Sequence, residues 1–203
     1  MAENFSTSDI IVSEANVLYA PLGTALPDET TVVYGDYDSW LSWNHLGYTD
    51  AVSNLNYSFE QFEYTPEQAL SPVLRRRISE MMTLRFALSQ FDGDYLALVT
   101  EGTKTATAAG ASQKAYDKIV GGGDTQISEY MFGLEGYRID TSGNKQPVRI
   151  FFHKATITLN GDIPFGKQNA AIMPIEVKAV PDTSKAVGAQ LYEIHVVTAP
   201  ASS

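Results

Sequence analysis

The sequence predicts a mainly β protein with one short helix and a long hairpin, and three observations carry that expectation. Apolar and polar residues alternate over long stretches, the period a half-buried strand imposes. Turn signals such as Asn160-Gly161-Asp162 separate those stretches. Only one run, following Asp92-Gly93-Asp94, prefers a helix.

Each element follows in chain order. Ala15 to Ala20 and Thr30 to Tyr34 read as short opening strands. Leu55, Tyr57 and Phe59 alternate within Val52 to Tyr64, leaving Asn56, Ser58 and Glu60 on the other side. Met82, Leu84, Phe86 and Leu88 take one face of Ser79 to Gln90, with Met81, Thr83, Arg85 and Ala87 opposite. Thr65 to Leu74 holds Pro66 and Pro72 and cannot continue a ladder, so the two strands form a long hairpin with an extended tip.

Acids before Tyr95-Leu96-Ala97-Leu98-Val99 favour a helix start, and Gly102 suits its C-terminal cap. Thr103 to Ser112 is small and polar, a loop by composition. Gln126 to Asp140, Val148 to Thr158, Ala171 to Val180 and Leu191 to Thr198 read as the closing strands. Pro174 argues for an edge position or a bulge in the third of these. Met1 to Asp9 and Pro200 to Ser203 read as terminal arms or frayed tails.

Composition removes several function classes. The chain has 203 residues and no cysteine, which excludes disulfide scaffolds, thiolate metal sites and a cysteine nucleophile. Its 14 Lys+Arg stand against 24 Asp+Glu, a net charge of −10. Tight nucleic-acid binders need cations to displace phosphate counterions, so this balance argues against one. It suits equally a surface that repels DNA and an ordinary acidic protein. Met1 to Asn16 lacks a basic start and a long apolar run, so no signal peptide is read there. No apolar run is long enough for a membrane span.

The search for chemistry finds no constellation. His45, His153 and His195 lie far apart, none is read at ligand spacing, and each suits a satisfied surface or interface position. Asp36 with Asp38, and Asp92 with Asp94, read as turn and cap acids, because the longer ligand series of a calcium loop is missing. Gly121-Gly122-Gly123 lacks the Lys-Ser/Thr ending of a phosphate loop. Arg75-Arg76-Arg77 reads as a solvated strand base or as a contact to a neighbouring copy's carboxylates. Trp40 and Trp43 suit a buried anchor or an interface. No catalytic residue, cofactor or metal is expected.

Several stretches together resemble the siphophage major tail tube family. They are Asn16 to Pro27, Trp40-Leu-Ser-Trp43 with Leu46-Gly-Tyr-Thr49, and the strand–loop–strand from Leu55 to Leu88. Val148 to Ala155, the Asn160 turn and Ala171 to Asp182 follow in the family's order, and the likeness spans roughly residues 15 to 198.

The resemblance implies a β-sandwich of two packed antiparallel sheets with one short flanking helix, a long hairpin loop and extended terminal arms. One domain is expected over 1–203, with an arm at 1–14, a core at 15–198 and a tail at 199–203. The resemblance also implies a virion structural protein, built in the host cytoplasm as homo-hexameric rings stacked into a tube. DNA crosses its lumen without specific binding. Tape-measure, tail terminator and tail-tip proteins are the further partners it implies, and no membrane is involved.

On this basis Asn56, Ser58, Glu60, Thr83, Arg85 and Ala87 are lumen-facing candidates, while Leu55, Tyr57 and Phe59 turn to the core. Pro66, Glu67, Pro72, Arg75, Arg76 and Arg77 are inter-subunit candidates. The competing readings are another β-sandwich virion protein, for tail completion or head decoration, and a carbohydrate-binding module. The latter would use Trp40, Trp43 and Tyr48 as a stacking platform.

Overall fold

The computed structural model describes residues 10–167 and 170–199, so Met1 to Asp9 and Pro200 to Ser203 lie outside the described residues. The strands are β1 (Asn16–Pro21), β2 (Asn44–His45), β3 (Thr49–Tyr64) and β4 (Leu74–Leu88). After the helix α1 (Gly93–Thr100) come β5 (Thr103–Thr107), β6 (Tyr116–Val120), β7 (Glu129–Ile139), β8 (Lys145–Leu159), β9 (Met173–Ala179) and β10 (Tyr192–Val196).

Eight strands form one antiparallel sheet in the order β2-β1-β7-β8-β9-β4-β3, with β10 added to β8. The sheet forks at β8. One edge of that strand pairs with β7; the other takes β10 along Val148 to Phe152 and β9 along Ala155 to Leu159. A bulge accompanies the fork, since Phe132 opposes Phe152 whereas Tyr130 opposes Ala155. The extra residue, at His153 or Lys154, reverses which side chains face inward and bends the strand.

The two arms of the fork pack as a β-sandwich. Val17, Phe132 and Phe152 from β1, β7 and β8 meet Leu84, Phe86 and Leu88 of β4 and Met173, Ile175 and Val177 of β9. Leu98 and Val99 of α1 join the same core. The opposite face of β1, β7 and β8 carries Leu18, Ala20, Met131 and Phe151, and Trp40 and Trp43 cover it. Both indoles are buried, so they are anchors of the segment between β1 and β2. Gly133 makes room for them: a Cβ there would lie 3.1 Å from Trp40 Cζ3 and 3.2 Å from Trp43 Cζ3.

Four local expectations are corrected. Thr30 to Tyr34 forms no strand, because Asp28 captures the chain in a turn: its carbonyl accepts from Thr31 N and Val32 N, and its Oδ1 from Thr30 N. Thr103 to Thr107 is a strand, not a loop. Its β-branched threonines alternate against β6, and Lys104 is fastened to Asp94 and Asp117.

The helix starts as expected, with Asp92 Oδ1 accepting from Asp94 N at 2.8 Å. It ends on Glu101 rather than Gly102, with Glu101 at φ 54. Gly102 is needed for packing instead, since a Cβ there would meet Ile119 Cγ2 at 2.5 Å. Pro174 sits in a strand paired on both sides, not on an edge. Its carbonyl accepts from Asn160 N on the β8 side, and that is where its missing N–H would also point, past the last β8 pair at Leu159–Ile175.

Candidate functional site

The most unusual surface is the β3–β4 hairpin. Its two strands pair from Asn54–Arg85 out to Tyr64–Leu74, but β9 supports β4 only from Thr83 to Leu88. Beyond Met82 the ribbon has no sheet neighbour on that edge and little beneath it. The consequence shows in burial: every described residue from Leu74 to Met81 is exposed. Phe62 is 49% exposed, Ile78 64% and Met81 48%, and Leu70 stands free at the tip. Isolated exposed leucines are ordinary, but a two-sided ribbon of large apolar side chains marks a surface built to be covered.

The ribbon keeps its shape through its own cross-strand pairs. Arg77 lies 4.8 Å from the Phe59 ring centroid and donates to Tyr57 Oη at 2.9 Å and to Glu80 at 2.8 Å. Arg75 pairs with Glu63 at 2.9 Å. Two of the three arginines are thus occupied within the chain, and Arg76, opposite Phe62, has no ion-pair partner among the described residues. A bulge between Glu60 and Gln61 leaves Ile78 as the extra residue of β4. At the tip, Ala69 N donates to Pro66 O and Val73 N to Tyr64 O.

Register fixes the two faces. Asn56 opposes Thr83, Ser58 opposes Met81 and Glu60 opposes Ser79, so these residues share one face. Leu55, Tyr57 and Phe59 share the other with Leu84 and Met82. They do not enter the core as expected: all three are exposed, because the sandwich ends before the ribbon does. Thr83 and Ala87 lie on the polar face yet are buried, Thr83 between Asn56 and Lys178 and Ala87 beside Pro174.

That polar face continues across four strands. One row runs Asn56–Thr83–Lys178–Thr156 and the next Asn54–Arg85–Glu176–Thr158. Glu176 is its electrostatic centre, 2.6 Å from Arg85 Nη2 and 2.7 Å from Lys178 Nζ. The hydrogen bond from Lys178, and then that from Arg85, hold its carboxyl below the usual range despite burial. On this face Arg85 and Lys178 stand against Glu176 and Glu60.

A third feature escaped the sequence reading. Arg149, 1% exposed, donates through Nε to Glu135 at 2.9 Å and through Nη1 to Glu29. Glu135 is fully buried and also accepts from Gly35 N at 3.3 Å. Burial pushes its pKa up against the pull of Arg149. Glu29 further meets His195 Nδ1 at 2.8 Å, and His195 Nε2 meets Glu193 at 2.9 Å. Glu193, two residues before His195, is thus the carboxylate partner that the sequence reading did not assign. His153 is buried rather than satisfied at a surface: its Nδ1 has no partner and its Nε2 lies 3.8 Å from Glu193. The missed signal was parity, since Glu135 and Arg149 occupy the same strand faces as Met131 and Phe151.

A cleft of about 450 Å³ opens at the foot of β3, lined by Ile11, Ala15, Val52, Leu134, Val148 and Ile150. Ser53 Oγ faces it buried and without a partner. Among the described residues no group of three or more His, Asp or Glu side chains is placed to hold a metal ion, and no helix is long and apolar enough to cross a membrane. The burial of Trp40 and Trp43 removes the stacking platform required by the carbohydrate-module reading.

A family model described as phage tail tube protein matches residues 1–200. No curated protein matches the chain.

Proposed function

Because the chain belongs to the phage tail tube protein family, a structural family of the virion tail, we propose that it polymerises as hexameric rings stacked around a lumen that DNA crosses during ejection. The observation that carries this reading is the hairpin: a ribbon with exposed apolar side chains on both faces marks a surface for other copies to cover. The expected single domain over 1–203 serves as the repeating unit, assembled in the host cytoplasm.

In this reading the polar face is the lumen lining, with Asn56, Ser58, Glu60, Thr83, Arg85 and Ala87 along it. A surface whose cations Arg85 and Lys178 are both paired with Glu176 offers phosphate little net attraction, so DNA slides without specific binding. Pro66, Glu67, Pro72 and Arg75 to Arg77 carry the contacts between copies. The outer edge of β3 ends the sheet, and pairing it with a neighbour satisfies its free ladder groups.

The apolar cleft at the foot of β3 is the natural seat for a neighbour's hairpin tip. A chain cannot fill its own cleft, since Val52 and Tyr64 stand about 40 Å apart along an extended strand. Such a contact joins two different patches, so it propagates head to tail and builds a filament. Tape-measure, tail terminator and tail-tip proteins are the proposed partners that set its length and ends.

Negative-stain electron microscopy of the purified protein tests the reading. Hollow tubes or stacked six-fold rings support it. Protein that stays monomeric at high concentration, even with tail-tip complex and tape-measure protein added, overturns it.

A further inference from the structure

His195 lies between two carboxylates on different elements. Glu29, from the segment joining β1 to β2, is 2.8 Å from Nδ1, and Glu193, from β10 itself, is 2.9 Å from Nε2. A neutral imidazole has one N–H and one lone pair, so it donates to only one of these and sets its lone pair against the other. The imidazolium alone satisfies both. The geometry therefore contains a proton.

This proton helps to hold a segment. Between β1 and β2 the chain contributes no sheet strand; the buried Trp40 and Trp43 anchor its end nearer β2, and polar bonds fasten the rest. Glu29 meets Arg149 and His195, Gly35 N meets Glu135 at 3.3 Å, and the Trp43 indole N–H reaches back to Ala25 O at 3.0 Å. Beneath it lie Phe151 and the Arg149–Glu135 pair.

We infer that His195 is a proton-operated latch, which as imidazolium ties the β1–β2 segment to β10 by donating to Glu29 and Glu193 together, and which when neutral keeps only one of these two bonds and so loosens the tie. The groups around it are few. Glu29 faces it from the segment, Glu193 from its own strand and the Phe151 ring from β8 at 5.1 Å. Behind these stand Arg149 on Glu29 and His153 on Glu193. Burial works against the charge on His195, but the hydrogen bonds it donates to the two carboxylates outweigh it and raise its pKa. The latch is closed below the ordinary imidazole value of about 6.5 and opens as pH rises through the higher folded value.

The test follows the His195 ring resonances and amide exchange at Gly35 across that range in the folded protein. The expected result is a His195 midpoint above about 6.5, with Gly35 exchange, corrected for its intrinsic pH dependence, rising about tenfold through the same midpoint. In His195→Gln the corrected exchange loses that midpoint. In Glu193→Gln, which keeps the ring, the midpoint falls. A His195 midpoint at or below the ordinary value, or an unchanged Gly35 profile in His195→Gln, overturns the latch. An unmoved midpoint in Glu193→Gln does the same.

Discussion

Arg85 Nη2 lies 2.6 Å from the Glu176 carboxylate, and the pair ties β4 to β9 on the face of the sheet opposite the core. Lys178 approaches the same carboxylate from its own strand. A single buried acid thereby organises the centre of a surface otherwise made of threonine and asparagine.

Glu176→Ala leaves Arg85 and Lys178, in adjacent rows, without the carboxylate they share. Arg85 is more than half exposed, so solvent screens much of the interaction, and the expected loss is about 1–2 kcal/mol. The sign with pH follows from the lowered folded pKa. The stabilisation is complete above the ordinary carboxylate value and is lost as pH falls through the depressed one. Urea unfolding of both proteins at neutral and acid pH checks it; equal stabilities at neutral pH contradict the role.

Gly133→Val drives side-chain atoms into both indoles. Overpacking of this kind costs about 1–3 kcal/mol. The expected result is a lower unfolding midpoint with altered tryptophan emission, because Trp40 and Trp43 must shift to admit the new methyls.

Replacing Phe62 and Ile78 together by Ser separates folding from assembly. Both side chains are exposed in the subunit, so its stability should stay within about 0.5 kcal/mol. Sedimentation should nonetheless show loss of polymer. Tubes forming at the wild-type protein concentration would remove the hairpin from the contact between copies.

His153 responds to acid in the opposite sense to His195. Burial, with Lys185 adding to it, lowers its pKa, so the unfolded chain binds this proton more readily. Stability falls as pH drops below about 6.5 towards the depressed value. In His153→Leu this part of the pH profile should flatten, measured by denaturant titration at a series of pH values.

Ser58→Lys or Glu60→Lys places a cation on the face proposed to line the channel. DNA ejection from virions carrying either variant should slow as phosphates linger there. Unchanged ejection kinetics would take these positions out of the lumen.

Period-2 patterning brought much of the fold into view, because alternate residues from Met82 to Leu88 enter the core, whereas Val148 to Thr158, buried on both faces, was legible from its β-branched and aromatic residues. The two faces of the hairpin were legible for the same reason. Where the sandwich stops was not: Leu55, Tyr57 and Phe59 alternate like core residues, and nothing local says that β9 ends at Ala179 and leaves them uncovered. Thr30 to Tyr34 looked extended until Asp28 closed a turn on it. The ionic cluster was hidden because Glu29, Glu135, Arg149 and His195 come from four separate stretches, and only the fold brings them together.

The fork at β8 has a mechanical meaning for the whole molecule. One strand belongs to both layers, so neither layer can melt without stripping ladder bonds from the other. The shared strand couples the unfolding of the two layers, and the amides of β8 are expected to be among the last to exchange. A pull applied at the hairpin travels through β4 and β9 to this same strand, which shares the load between both halves of the sandwich.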